Sequence, residues 1–176
     1  LERYHAFYIL HVAYSEIEHD RRDDQEVLER WRAAYPESPG VALMLAQVLA
    51  NSGRDGRSRS IVLLREILDR VKAGKIEDER ETSAAVELAK LLIDDFEPEA
   101  AIEVLLPVVA KEHGHKREEL SLSSILGRAL NRAGLHSDAM VMLQDLKTRY
   151  PGDSDLTKVE FAATQLGEED SKIYKA

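Results

Sequence analysis

The histidines of this chain are the first residues to consider as chemical groups, because imidazole binds metals and moves protons near neutral pH. The closest pair is His113 and His115 in the segment KEHGHK. No further ligands follow at the spacing of a zinc site, and the HExxH pattern does not occur. His11 and His19 lie eight residues apart, near one face of a helix, where packing and turn roles are the simpler interpretation. The sequence therefore predicts no metal site.

Adjacent carboxylates are the second candidate chemistry, for example Asp94–Asp95 and Glu118–Glu119. Neighbouring residues on a helix point in different directions, so such pairs do not form the opposed acids of general acid–base catalysis. The arginine-rich segment at residues 52–59 lacks the Gly-Lys-Ser/Thr pattern of a phosphate loop, and we predict a long hydrophilic turn there. No nucleophile, base and orienting group can be named together. We therefore expect no enzymatic activity and no cofactor.

The composition favours a helical protein that does not bind nucleic acid. Of the 176 residues, 44% are hydrophobic and 32% are charged, which suits a packed interior with wide solvated faces. The net charge of −9, without a basic stripe, argues against a nucleic-acid partner. No apolar run reaches the roughly 18 residues that direct insertion into a membrane needs. The absence of cysteine fits a soluble protein of the cytoplasm or the periplasm, and both compartments stay open.

Two predicted amphipathic helices near the C-terminus each carry a small residue among larger apolar ones. The first face holds Leu126, Gly127 and Leu130, and the second holds Ala139, Leu143 and Leu146. Gly134 ends the first helix, and Pro151 follows the second. The same six positions occur 38 residues earlier as Leu88, Ala89, Leu92, Ala101, Leu105 and Val108. One offset serves both helices, so the pattern indicates a repeated helix pair.

The repeat continues towards the N-terminus with insertions in the turns. A second pair of faces is formed by Leu45, Ala46, Leu49, Ser60, Leu64 and Ile67. A weaker first pair is formed by His11, Val12, Ser15, Leu28 and Trp31. The underlying period, once the insertions are removed, is 34 residues.

A helix–turn–helix unit of about 34 residues is typical of the tetratricopeptide repeat, and the chain resembles that family over roughly residues 4–153. The match is best in the last repeat, with L-G-x-x-L-x-x-x-G-x-x-x-x-A-x-x-x-L and the closing Tyr150-Pro151. The resemblance implies an all-α fold: a right-handed superhelical α-solenoid of antiparallel helix hairpins, forming a single domain over residues 1–176. The predicted segments are repeats at 4–37, 38–80, 81–118 and 119–153, a capping helix at 154–167 and a frayed tail at 168–176.

The resemblance also implies roles for two sets of residues. Small residues would let neighbouring helices pack closely, and here they are Ala46, Ala89, Ala101, Gly127 and Ala139. The first helix of each repeat would line a concave groove that binds a peptide or a partner helix. The expected groove positions are Leu43, Gln47, Asn51, Val86, Lys90, Ser124, Arg128, Asn131 and Arg132, with Ile9, Ala13 and Glu16 in the first repeat.

Three cations, Lys90, Arg128 and Arg132, form the basic end of the predicted groove on an otherwise acidic chain. Charge-assisted hydrogen bonds could hold a carboxylate or an acidic segment of a partner there. Ordinary exposed helical charge is the simpler alternative. The resulting prediction is a non-catalytic protein–protein interaction module, a scaffold or adaptor within a larger protein or assembly. A secretion-type chaperone with such repeats and a self-association module stay open as alternatives.

Overall fold

The computed structural model describes residues 21–75, 80–111 and 116–164. These residues form eight helices and no strand, which confirms the predicted all-α class. The chain divides into two compact units, an N-terminal unit of residues 1–87 and a C-terminal unit of residues 88–176, and the division falls inside α4. The helices are α1 (Arg21–Ala34), α2 (Pro39–Ala50), α3 (Gly53–Lys72), α4 (Glu81–Asp94), α5 (Pro98–Val109), α6 (Lys116–Arg132), α7 (His136–Arg149) and α8 (Leu156–Thr164).

Part of what the sequence predicts lies outside the described residues. This part comprises His11, His19, His113 and His115, the groove positions Ile9, Ala13 and Glu16, and the tail beyond residue 164. The capping helix predicted at 154–167 falls on α8, which begins at Leu156 and is described as far as Thr164.

Local chemistry sets the starts of α2 and α5. Ser38 precedes Pro39, the first residue of α2, and its hydroxyl oxygen accepts a hydrogen bond from the Val41 amide at 3.5 Å. A serine at this position satisfies one of the amides that the first turn of a helix leaves without a partner. Proline suits the first helical position because it has no amide hydrogen to satisfy. Pro98 likewise occupies the first helical position of α5.

The helices α2, α4 and α6 are each followed by a residue with positive φ. These residues are Gly53, Phe96 and Gly134, with φ of 78°, 61° and 75°. They are 43 and 38 residues apart, which are the same offsets that relate the apolar faces of the three helices. A residue in the left-handed conformation lets the chain leave a helix while the last carbonyl groups still receive hydrogen bonds.

Equivalent backbone hydrogen bonds close α4 and α6. The Glu97 amide donates to the Leu92 carbonyl oxygen at 2.8 Å, and the Leu135 amide donates to the Leu130 carbonyl oxygen at 2.8 Å. Each bond spans five residues around the left-handed residue, which is the pattern of a Schellman helix end. The two ends are again 38 residues apart. The chain therefore leaves α4 and α6 by one mechanism.

Residues 52–59, predicted as a long hydrophilic turn, are mostly helical instead. The helix α3 begins at Gly53 and runs for 20 residues. Gly56 is buried in its first turn, and a Cβ there would lie 2.5 Å from the Leu49 carbonyl oxygen. The start of α3 therefore lies against the end of α2. The second glycine of this segment serves a close backbone approach and not a turn, which is why the turn prediction was wrong.

The core of the N-terminal unit joins α1 to α2 and α2 to α3. Between α2 and α3, the hydroxyl of Ser60 donates to the Ala46 carbonyl oxygen at 2.7 Å. Both residues are fully buried, so this bond satisfies a hydroxyl that water cannot reach. The apolar cluster between α1 and α2 consists of Leu28, Trp31, Val41, Leu45 and Leu49.

One part of the core of the C-terminal unit lies among α6, α7 and α8. A Cβ on Gly127 of α6 would lie 3.3 Å from the Met142 Cε and 3.5 Å from the Ala163 Cβ. Gly127 is thus small where α7 and α8 approach α6. The buried apolar cluster consists of Leu120, Leu143, Leu146, Leu156 and Val159. The other small residues predicted to pack in this unit are Ala89, Ala101 and Ala139, and all three are fully buried.

We expect glycine-to-alanine substitution to have three different effects on the free energy of unfolding. Gly127→Ala should be neutral or stabilise by up to about 1 kcal/mol, because helix propensity improves and the flexible Met142 methyl can move. Gly134→Ala should destabilise by about 1–2 kcal/mol, because only the left-handed backbone is strained and no atom lies within 4 Å of the new Cβ. Gly56→Ala should cost about 1–3 kcal/mol, because the contact is with a backbone oxygen that cannot rotate away.

Urea denaturation, monitored by circular dichroism, measures the change in the free energy of unfolding for all three variants. Gly127→Val serves as the control for space, since two further methyl groups must meet α8 and should destabilise by about 1–3 kcal/mol. A large loss for Gly127→Ala, or no loss for Gly56→Ala, would contradict these packing assignments.

Candidate functional site

The predicted groove positions differ widely in their accessibility. Gln47, Asn51, Lys90 and Arg128 are exposed, whereas Leu43 is buried. Half-buried positions are Val86, Ser124 and Arg132, and Asn131 is buried. Leu43 and Asn131 pack inside their own units, so their side chains do not line an open surface. Helical periodicity placed them off the packing face, but both faces of α2 and α6 carry packing contacts.

The two arginines of the basic end already bind groups of the C-terminal unit. The Arg128 Nη2 lies 2.7 Å from the Asp94 Oδ1, and the Arg132 Nη1 donates to the Ile93 carbonyl oxygen at 3.0 Å. Both contacts fall on the last turn of α4, where the negative end of the helix dipole attracts cations. A partner carboxylate would therefore have to compete with Asp94. The arrangement gives these arginines a role in joining α6 to α4.

Ser124 lines a pocket of about 260 Å³ between α6 and α8. Its other lining residues are Arg117, Leu120, Ser121, Asp155 and Lys158. The Lys158 Nζ lies 2.9 Å from the Asp155 Oδ1, so the two charges nearest α8 neutralise each other. Leu120 is the one apolar residue among the described residues that line this pocket.

A larger pocket of about 610 Å³ lies in the N-terminal unit, and we call it the α1–α3 pocket. Its apolar part is formed by Ala33 of α1, Leu45 of α2 and Val62 with Leu63 of α3. Leu45 is buried, whereas Val62 is 65% exposed. The pocket therefore has a packed floor and one wall with an apolar side chain in solvent. The polar lining residues are Glu29, Arg32, Ser58 and Arg59.

Ion pairs from α1 to α3 form the charged edge of this pocket. The Arg59 Nη2 lies 2.8 Å from the Glu29 Oε1, and the Gln25 Nε2 donates to the same carboxylate at 2.9 Å. The Gln25 hydrogen bond, followed by the Arg59 hydrogen bond, lowers the pKa of Glu29. A second pair joins Arg32 to Glu66 at 2.7 Å. The two ion pairs thus flank the apolar wall and connect α1 to α3.

This pocket does not follow from the sequence when residues 52–59 are interpreted as a turn. With α3 beginning at Gly53, Arg59 and Leu63 stand one helical turn apart, and Ser58 and Val62 do likewise. This spacing puts all four on adjacent rows of one helix face. The signal available in the sequence was the run of good helix-compatible residues after Gly56, without a proline to stop it.

Surface pairs in the C-terminal unit shift three further pKa values. Lys116 at the start of α6 bonds Asp153, which raises the pKa of Lys116 and lowers the pKa of Asp153. The Tyr150 hydroxyl donates to Glu119, which raises the pKa of Tyr150. These bonds tie the beginning of α6 to the end of α7 and the following turn. The shifts have structural ion pairs as their cause, which is the ordinary alternative to a catalytic origin.

The Tyr150 bond predicts a specific loss of stability at alkaline pH. A pKa that is raised in the folded state contributes stability below the ordinary tyrosine value of about 10, and this contribution disappears as the pH rises through the folded value. In Tyr150→Phe, the urea midpoint should therefore fall less steeply between about pH 9 and 11 than in the parent. Equal slopes would show that the hydroxyl does not titrate as the bond requires.

The Asp153 bond predicts the opposite dependence at acid pH. A lowered pKa contributes stability above the ordinary aspartate value of about 3.9, and this contribution is lost as the pH falls through the folded value. Asp153→Asn should start from a lower urea midpoint at neutral pH and lose less of it on acidification. A parallel decline of parent and variant would contradict the Lys116–Asp153 assignment.

Comparison with known proteins identifies no family for this chain. No protein-family model, no curated protein and no solved structure matches it. None of the described helices is long and apolar enough to cross a membrane. Within residues 21–75, 80–111 and 116–164, no three histidine, aspartate or glutamate side chains come together as potential metal ligands. Function therefore has to be inferred from the chain's own surfaces.

Proposed function

We propose that this chain is a non-catalytic protein–protein interaction module of the tetratricopeptide-repeat type. Three observations support the repeat: the left-handed residues at Gly53, Phe96 and Gly134, the equivalent ends of α4 and α6, and the buried small residues at matching positions. Arrays of such hairpins bury one face of each helix against the next and leave the others for partners. The interaction is with a segment of another protein.

The α1–α3 pocket is the observation that carries this proposal. Its volume of about 610 Å³ lies within the range of about 300–1,000 Å³ that is usual for ligand sites. Its lining combines a few apolar side chains with a small number of charged groups, which is the composition of a recognition site. A partner's apolar side chain resting against Val62 and Leu63 would be removed from water, at about 1.5–3 kcal/mol for a Leu or Phe.

The charged edge supplies orientation for such a partner. Glu29 and Arg59 stand beside Val62, so a polar group that follows the partner's apolar anchor meets a carboxylate and a guanidinium. Exposed pairs of this kind contribute about 1 kcal/mol or less. The apolar contact therefore provides most of the affinity and the charges provide register.

This location differs from the groove of first helices that the resemblance implies. The basic end of that groove is engaged by Asp94 and the Ile93 carbonyl group, which lowers the advantage of binding an acidic segment there. The proposed binding surface instead uses second helices of the predicted repeats, α1 and α3, over a floor from α2. An acidic partner is therefore not required for the proposed function.

A pair of matched valine variants tests the proposal. Val62 is 65% exposed on α3 and Val141 is 70% exposed on α7, so aspartate at either position should leave the fold intact. The full chain would be panned against a phage library of random peptides, and enriched peptides would be titrated by fluorescence polarisation. We expect Val62→Asp to weaken binding about tenfold or more, since it puts an unpaired charge against the partner's anchor, and Val141→Asp to leave Kd unchanged.

The outcomes separate the proposed function from its alternatives. Enrichment of peptides without a large apolar residue, or equal effects of the two variants, would contradict binding at the α1–α3 pocket. A mass that rises with concentration in the parent but not in Val62→Asp would assign the pocket to self-association. Circular dichroism of each variant confirms that changes in Kd do not come from unfolding.

A further inference from the structure

Phe96 is the residue without glycine's freedom among the three left-handed residues that follow α2, α4 and α6. The two equivalent positions are Gly53 and Gly134. Gly53 and Gly134 take the left-handed conformation at almost no cost, whereas a residue with a side chain pays about 1–2 kcal/mol for it. Burial of the ring does not offset this cost, because Phe96 is 71% exposed. A strained and exposed aromatic residue in place of glycine is the outlier from which a functional hypothesis starts.

The surroundings of the ring are ordered and charged. The Arg132 guanidinium lies 6.0 Å from the ring centroid and is held by its bond to the Ile93 carbonyl oxygen. Beside the ring is a depression of about 250 Å³ lined by Phe96, Pro98, Glu99 and Arg132. Phe96 stays 71% exposed, so Arg132 does not shield the residue from solvent.

The local charge determines what kind of group this surface attracts. Residues 94–99 read DDFEPE, so four carboxylates lie within three residues of the ring. Arg128 offsets Asp94, and Arg132 is fixed at the end of α4, but Glu97 and Glu99 remain exposed next to the ring. Glu99 also lies in the first turn of α5, where the helix dipole stabilises its negative charge. An aromatic face bordered by carboxylates attracts a cation.

We propose that Phe96 is a second recognition element, which receives a lysine or arginine side chain of a partner protein. The cation stacks on the uncovered part of the ring, and Glu97 and Glu99 accept its hydrogen bonds. The inference rests on the proposed interaction role of the chain, but it concerns a different surface from the α1–α3 pocket. It also reverses the charge expected from the sequence, because the partner segment is basic and not acidic.

Three variants of the full chain test this proposal with defined probes. Phe96→Gly restores the sister residue and removes the ring, Phe96→Tyr keeps an aromatic face, and Phe161→Ala removes another exposed phenylalanine, 61% exposed on α8. The probes are two sets of labelled peptides with the same random apolar positions, one bearing lysine and arginine and the other bearing aspartate and glutamate. Kd is measured by fluorescence polarisation at low and high salt.

We expect the parent to prefer the basic set and to lose this preference as salt is added. Phe96→Gly should weaken the basic peptides about tenfold, while Phe96→Tyr and Phe161→Ala should bind them as the parent does. Phe96→Gly should also unfold at a urea concentration equal to or above that of the parent, because the backbone strain is relieved. A lower midpoint would assign the ring a structural role and overturn the proposal.

Comparison with Val62→Asp keeps the two proposals apart. If Phe96→Gly no longer binds the basic peptides but Val62→Asp still does, the result supports binding at Phe96. This conclusion holds whether or not the α1–α3 pocket binds a partner. If Val62→Asp no longer binds the basic peptides but Phe96→Gly still does, the result supports the α1–α3 pocket and overturns the inference about Phe96. A preference of the parent for the acidic set would overturn it as well.

Discussion

In both units, helices approach each other closely at positions with little or no side chain. Gly56 brings the start of α3 against the Leu49 carbonyl oxygen, and Gly127 leaves room for Met142 and Ala163. Such contacts let larger apolar residues on either side interdigitate at the density of protein interiors. Where the small residue is Ser60, its hydroxyl binds the Ala46 carbonyl oxygen and adds direction to a contact that is otherwise only steric.

Charged side chains on the surface also connect helices, in this case at the helix ends. Arg128 and Arg132 attach α6 to the last turn of α4, and Lys116 and Glu119 attach its first turn to residues at and beyond the end of α7. Each pair adds little free energy on its own. Together they connect helix ends, where backbone groups lack helical partners and fraying begins.

The sequence was sufficient for the helical class, because periodic apolar faces and glycine or proline at their ends act locally. It was insufficient for the start of α3. Gly56 suggests a turn when only the sequence is considered, whereas in the structure it allows α3 to approach the Leu49 carbonyl oxygen closely. The sequence was also insufficient for the role of Arg128 and Arg132. Their positions away from the apolar face of α6 are predictable from periodicity, but their partners depend on where α4 ends. The α1–α3 pocket depends on the start of α3 and also on side chains from three helices, whose relative placement the periodicity does not give.

The position of the single tryptophan gives the chain an internal reporter. Trp31 is completely buried in the core of the N-terminal unit, and no other residue of the chain has an indole. Its emission therefore responds to solvent entry into that unit alone, whereas far-ultraviolet ellipticity sums over every helix. Superimposable transitions from the two signals would mean that the compact units unfold as one cooperative body. Separate transitions would mean that each has its own stability and that a partner binding one need not stabilise the other.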